Sequence, residues 1–428
     1  MHQDDTADHI PASLPDPPVP TGSEGRVASL DFIRGIAVLG ILAANIVAFG
    51  QPFTAYMYPD AFAVPHGESS DWLWVIQFVL IDGKMRGLFT LLFGAGLALF
   101  MDKAWARGAT RWLQVRRLFW LLMFGIIHFY LIWRGDILIF YAVIGFIATL
   151  LLRASARSLL VLGLLGYVAG AVVYLGLMSL PYFVAETTLG DQPQFAAMRE
   201  DMARQMDEEL ADDREELAII GGGTYGDYVG HVTSSHAADP WAMLFFFAFE
   251  TLPLMLIGMA LLRLGLFSGG LDPGKTWRWG WTALIAGTAL TIPIALWALE
   301  RDLGYWATLA AFMGFSPLPR LLMILGLAAL LALWGARASG WLAQRLSAAG
   351  RMAFSNYLGT SILMMAVFHG WGLGLFGELG RPALYGVVLS AWIVMLAWSQ
   401  PWLARFRYGP LEWLWRCLTY GRLFQLRR

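Results

Sequence analysis

The sequence predicts an all-α protein, a polytopic transmembrane helical bundle of about ten spans with both termini cytoplasmic. Three observations carry this. Of 428 residues, 58% are hydrophobic and only 14% are charged, where a soluble domain holds about 25% charged residues. Apolar runs near the ~20 residues needed to cross a bilayer recur ten times along the chain. Lys and Arg then alternate between sides: 20 of the 30 fall in the segments assigned inside and seven in those outside, as orientation in a membrane requires. Twenty Trp and 27 Phe suit bilayer interfaces. A formal net charge of −1 speaks against a nucleic-acid partner. The single Cys417 excludes an intrachain disulfide and any cysteine-based zinc site.

In order, residues 1–26 are polar, rich in Pro, Asp, Ser and Thr, and without the pattern of a signal peptide. They read as a disordered cytoplasmic tail. Residues 27–180 hold transmembrane helices 1–5, at 28–50, 84–101, 113–133, 136–152 and 158–180. Residues 181–240 form an acidic extracytoplasmic insert with 13 acidic and three basic residues. Within it, 194–219 favour a helix that Gly221, Gly222 and Gly223 end, before a loop with Tyr225, Tyr228, His231 and His236. Residues 241–404 hold helices 6–10, at 241–262, 279–298, 318–336, 353–374 and 383–404. Two stretches, 71–82 and 304–316, are too short to cross and read as half-helices at the outer leaflet, the second broken before Pro317 and Pro319. Residues 405–428 form a cytoplasmic amphipathic segment. Apolar positions 411, 414, 415 and 418 lie on one face, with Pro410 and Glu412 suiting a helix start.

Ionisable groups inside a membrane segment are expensive and mark sites by default. The sharpest case is the run Arg117 to Tyr141, a helix carrying His128, a tight turn with Arg134, Gly135 and Asp136, and the next helix. A carboxylate can hold an imidazole in one tautomer, leaving the ring to act as a general base. In the first span, Asp31, Arg34 and Asn45 fall within about 60° on one helix face. They form either a polar stripe or a simple ion pair with a separate interhelical amide. Lys84 and Arg86 follow a break at Gly83, where a helix dipole disfavours cations. Either a carboxylate such as Asp82 or Asp136, or an anionic substrate group, should compensate them. Glu250 lies a third of the way down the sixth span. His66 sits in an outer loop and His369 near the outer end of the ninth span. Asn356 and Tyr357 suit interhelical bonds. No phosphate loop, dinucleotide fingerprint or H-E-x-x-H occurs, so no metal site and no permanently bound cofactor are expected.

Five runs carry a resemblance: Leu30 to Leu42, Gly83 to Gly96, His128 to Leu138, Gly350 to Tyr357, and Gly409 to Arg416. On these, nearly the whole chain beyond the tail resembles the YeiB-like family of multi-pass bacterial membrane proteins, long a domain of unknown function. Met85, and Phe354-Ser355, depart from the common residues of that family. The family in turn looks like a distant relative of transmembrane acyltransferases, including heparan-α-glucosaminide acetyltransferases, through the Leu-Asp-x-x-Arg-Gly opening of the first span. That likeness implies acyl-CoA as a co-substrate and a small-molecule, glycan or lipid acceptor hydroxyl or amine on the extracytoplasmic side of a bacterial inner membrane. His128 and Asp136 would be catalytic. Asp31, Arg34, Asn45, Lys84, Arg86 and Glu250 would bind substrate. The rival reading is a transporter or lipid flippase, for which Glu250 speaks, since acyl transfer gives it no task. The sequence sets no oligomeric state.

Overall fold

The computed structural model describes residues 28–65 and 67–428. The predicted tail and His66 lie outside the described residues. The chain is helical throughout: α1 Ala28–Gly50, α2 Glu68–Leu80, α3 Lys84–Trp105, α4 Trp112–Leu131, α5 Leu138–Leu150, α6 Ala156–Glu186, α7 Ala196–Gly222, α8 Tyr225–Ser235, α9 Asp239–Arg263, α10 Pro273–Glu300, α11 Tyr305–Leu309, α12 Pro317–Arg337, α13 Trp341–Arg351, α14 Ala353–Phe368, α15 Arg381–Arg405 and α16 Pro410–Tyr420. Each of the ten predicted spans is a helix here.

Seven helical stretches are long and apolar enough to cross a membrane: Ser29–Gly50, Glu68–Trp105, Ala156–Glu186, Asp239–Arg263, Pro273–Glu300, Pro317–Arg337 and Arg381–Arg405. The other three predicted spans are α4, α5 and α14. Helix α4 is interrupted by Gln114, Arg116 and Arg117, and α5 and α14 have only 13 and 16 residues. Helices α5 and α14 pack mostly inside the bundle, where protein partners replace lipid and a polar residue can be satisfied, while α4 buries one face and leaves Phe119, Ile127 and Leu131 exposed.

Helix α1 is the axis. Of its apolar window 78% is buried, against 22% for α10 at the rim. It touches α3, α12, α13, α14 and α15. Close approach to α13 depends on Gly350, where a Cβ would lie 1.8 Å from the Asp31 carbonyl oxygen. Helices α2 and α3 are joined by a turn at Gly83, whose φ of 70° places it in the left-handed region that a side chain resists. A Cβ there would also lie 2.5 Å from Arg320 Nε. Helix α11 runs into a π-helical stretch, Ala310–Phe315, and the chain turns at Ser316 into α12.

The insert departs from its predicted form. Helix α7 runs through Gly221 and Gly222 to a cap at Gly223. The stretch expected as a loop is helix α8, started by a capping box in which Thr224 Oγ1 accepts from the Asp227 N–H and Asp227 Oδ2 accepts from the Thr224 N–H. Local capping and a short apolar stripe of Tyr225, Tyr228, Val229 and Val232, of which Tyr228 and Val232 are buried, together set this helix.

Candidate functional site

The hairpin α4–α5 is tight because Gly125 lets the helices meet. A Cβ there would lie 2.7 Å from the Ile139 nitrogen. This closeness brings His128, one helical turn further along, to Asp136 across the turn. The imidazole is fully buried, and its Nδ1 lies 2.8 Å from Asp136 Oδ1. Asp136 Oδ2 accepts from the Ile139 N–H at 2.8 Å, which fixes the carboxylate at the start of α5. An ionised carboxylate only accepts, so Nδ1 carries the proton and Nε2 is left as an acceptor. Facing Nε2 at 2.9 Å is the hydroxyl of Ser361 on α14. That hydroxyl also lies 3.3 Å from the Tyr357 carbonyl one turn back, the longer of its two options. Carboxylate, imidazole and hydroxyl therefore form one buried chain, the arrangement that activates an alcohol as a nucleophile. The two residues that the sequence offers as catalytic candidates, His128 and Asp136, are in contact here; Ser361 is absent from its candidates.

Two cavities approach this chain. A cleft of about 10 Å³, room for roughly one water, is lined by Asn45, Tyr357, Thr360 and Ser361 among others. A larger cavity of about 330 Å³ opens at the end of the bundle where α16 lies, and Asp31, Arg34, Arg117, Arg351, Arg407 and Arg416 line it. Its deeper wall is aromatic, with Phe89, Phe93, Tyr141 and Phe354. Tyr357 lines both spaces, and its ring lies 5.1 Å from that of His128. The Tyr357 hydroxyl sits beside the Ile137 backbone without a hydrogen bond of normal geometry. Arg117 Nη1 also lacks a hydrogen-bond partner among the described residues, although its guanidinium stacks on Phe100 and Trp415.

Helix α16 is more than an interfacial helix. Its Glu412 reaches α14, where Oε1 accepts from the N–H groups of Phe354 at 2.8 Å and Ser355 at 3.1 Å. Burial pushes this carboxyl above the usual range, against the hydrogen bonds that lower it. Trp415 donates to the Arg117 carbonyl at 2.8 Å. The helix thus builds one wall of the arginine-lined cavity and turns Arg416 toward it.

The remaining predicted residues divide. Asp31 and Arg34 form an ion pair at 3.2 Å on the wall of the large cavity, and Asn45 faces the cleft. Lys84, Arg86 and Glu250 belong to a separate buried cluster. Lys84 donates to the Phe78 carbonyl at the end of α2. Arg86 pairs with Glu250 rather than with Asp82 or Asp136. Arg320, which the sequence did not single out, lies 3.3 Å from both Glu250 oxygens, and Tyr167 donates to Glu250 at 3.3 Å.

The insert docks on the hairpin through Arg134. Its Nη2 lies 3.0 Å from Glu216 Oε2, and the guanidinium stacks on Phe53. His369, beyond α14, packs its ring on Tyr228 of α8, and burial pulls it down to about 4.

The comparisons agree on a relationship. The family described as "Protein of unknown function (DUF418)" matches residues 261–422. The uncharacterized protein YeiB of Escherichia coli (strain K12) is 31% identical over 92% of this chain and 96% of its own length. The uncharacterized protein YxaH of Bacillus subtilis (strain 168) is 29% identical over 94% of this chain and 96% of its own. An uncharacterized 39.9 kDa protein of Bacillus acidopullulyticus is 26% identical over 95% and 97%. No solved structure matches the chain.

Proposed function

The chain belongs to the YeiB-like DUF418 family of multi-pass membrane proteins, and we propose that it is a membrane acyltransferase. It moves an acyl group from an acyl-CoA-type donor to a hydroxyl or amine acceptor at the extracytoplasmic face of the bacterial inner membrane, with both termini cytoplasmic. One observation carries the reading, the buried Asp136–His128–Ser361 chain at 2.8 and 2.9 Å. Five arginines at the cavity mouth suit the donor's phosphates, and the aromatic wall beyond suits its chain.

The reaction has two steps. Ser361 Oγ attacks the thioester carbonyl while His128 Nε2 takes the hydroxyl proton. The carbon–sulfur bond breaks, and the thiolate leaves with that proton. The acceptor then attacks the acyl-serine, giving its proton to His128, and Ser361 Oγ recovers it as the ester bond breaks. Asn45 and Tyr357 line the cleft beside Ser361 and are the side chains we assign as donors to the oxyanion. Asp136 holds the imidazole tautomer.

The rival transport reading leaned on Glu250. Its carboxylate is engaged by Arg86, Arg320 and Tyr167, which gives it a scaffolding task. The test is incubation of the purified protein with radiolabelled acetyl-CoA and longer acyl-CoAs, followed by denaturation and counting. Wild type acquires label and releases free thiol. Ser361→Ala acquires none, and His128→Ala is slowed by about 10²–10⁴. Folded wild-type protein that neither binds nor cleaves any acyl-CoA would return the choice to transport, measured as uptake into reconstituted vesicles.

A further inference from the structure

We propose that the insert holds a divalent transition-metal ion, zinc by ligand type, on Asp212, His231 and His236. Asp212 lies on α7, His231 on α8, and His236 directly after α8. The two imidazoles aim the same nitrogen at one point: His231 Nε2 and His236 Nε2 are 3.2 Å apart. Asp212 Oδ1 lies 3.4 Å from His236 Nε2 and 3.9 Å from His231 Nε2. Zinc bonds of about 2.0–2.2 Å in a tetrahedron place neighbouring donor atoms roughly 3.3–3.5 Å apart. The three observed separations bracket that spacing.

The outward sides of the rings add a second, independent indication. His236 Nδ1 faces Asp239 Oδ2 at 2.9 Å, as in the carboxylate–histidine–metal arrangement. His231 is buried, with side-chain exposure of 4%, and its Nδ1 has no hydrogen bond; the nearest carboxylate oxygen, on Glu215, is 3.4 Å away. A cation at the shared point satisfies both rings and Asp212 together.

Charge points the same way. Asp212, Glu215, Glu216 and Asp239 surround the two rings, and Arg134 is the facing cation. Its Nη1 lies 3.2 Å from both nitrogens of His236 and 3.8 Å from Asp212 Oδ2, flanking the site. One guanidinium leaves this patch negative, and a divalent ion brings it close to neutral. With three protein ligands, a fourth position stays open to water or to an acceptor group. Because Arg134 sits on the α4–α5 turn, two residues before Asp136, the ion ties the insert to the hairpin that carries the candidate base. The sequence offered no metal motif because the ligands come from two helices that only the fold brings together.

The test uses the full chain purified without a histidine tag, stripped with a chelator and dialysed against cobalt or zinc chloride. Wild type takes up about one equivalent, the number a single three-ligand site allows, and cobalt gives the intense visible absorption of a tetrahedral site. His231→Gln, His236→Gln and Asp212→Asn each lower metal affinity at least tenfold while thermal unfolding still shows a folded chain. A His2→Ala/His9→Ala/His66→Ala variant keeps the metal, which removes those three histidines as its source. Wild type that binds neither ion overturns the proposal, and so do folded ligand variants that bind as wild type does. The cobalt spectrum of wild type keeps the test decisive should a variant fail to fold.

Discussion

The two arginine-rich regions of the membrane domain differ in how their charge is answered. In the Glu250 cluster, Arg86 and Arg320 share one carboxylate, Tyr167 adds a hydrogen bond, and Arg320 also reaches the Phe312 carbonyl and the Ser316 hydroxyl at 2.6 Å each. In the cavity beside α16, Arg34, Arg117, Arg351, Arg407 and Arg416 line the wall, where Arg34 pairs with Asp31 and Arg117 stacks on Phe100 and Trp415. Buried charge that is matched holds helices together, since removing one partner strands the other. Cations gathered around a cavity offer an anionic ligand a place to bind. The comparison supports scaffolding for one cluster and, for the other, the donor binding proposed above, although the sequence weighed Lys84, Arg86 and Glu250 beside Asp31 and Arg34 as one set.

The largest expected effect tests the scaffold. Glu250→Gln leaves two buried guanidinium groups sharing a neutral amide and should cost about 3–5 kcal/mol. Thermal unfolding in detergent should show a large fall in the midpoint, with any folded fraction still binding acyl-CoA normally. If Glu250→Gln instead keeps wild-type stability and abolishes uptake of a solute into vesicles, the division between the clusters fails and transport gains. A smaller effect tests the cavity. Arg117→Ala removes a guanidinium with an unused donor and should weaken acyl-CoA binding by about tenfold, roughly 1.4 kcal/mol. The midpoint should move little beyond the lost stacking on Phe100 and Trp415. Raised salt should weaken wild-type binding more than that of Arg117→Ala, because one phosphate contact is already gone.

What could be read before the fold was known follows from range. The ten helices were legible because hydropathy is local, α4, α5 and α14 among them although they fall short of the length or apolarity of a free span. His128 and Asp136 could be paired because eight residues and one turn separate them. Ser361 could not, since it meets His128 across 233 positions and a serine in an apolar helix carries no signal of its own. The cavity arginines arrive from α1, α4, α13, α16 and the segment before α16, so no window contains them. Helix α8 was missed although Thr224 and Asp227 encode its start and Tyr225, Tyr228, Val229 and Val232 recur at helical spacing, because the glycine run before it reads as the start of a loop.

The smallest effect sets Glu412 beside the buried Glu250. Among the described residues Glu412 pairs with no guanidinium; its Oε1 accepts from the first N–H groups of α14 and its Oε2 from the Ser355 hydroxyl. In Glu412→Gln the amide oxygen can still accept the two backbone bonds, while the Ser355 hydroxyl loses its carboxylate acceptor and the helix dipole loses a charge worth about 0.3–1 kcal/mol. The midpoint should therefore fall slightly, far less than in Glu250→Gln. The same substitution deletes an anion from the wall of the donor cavity, so acyl-CoA affinity should rise while stability falls. Opposite signs in one variant are the result that scaffolding alone does not produce. If Glu412→Gln weakens donor binding in a folded protein, Glu412 contacts the donor directly, and the cavity's charge balance is not what selects its ligand.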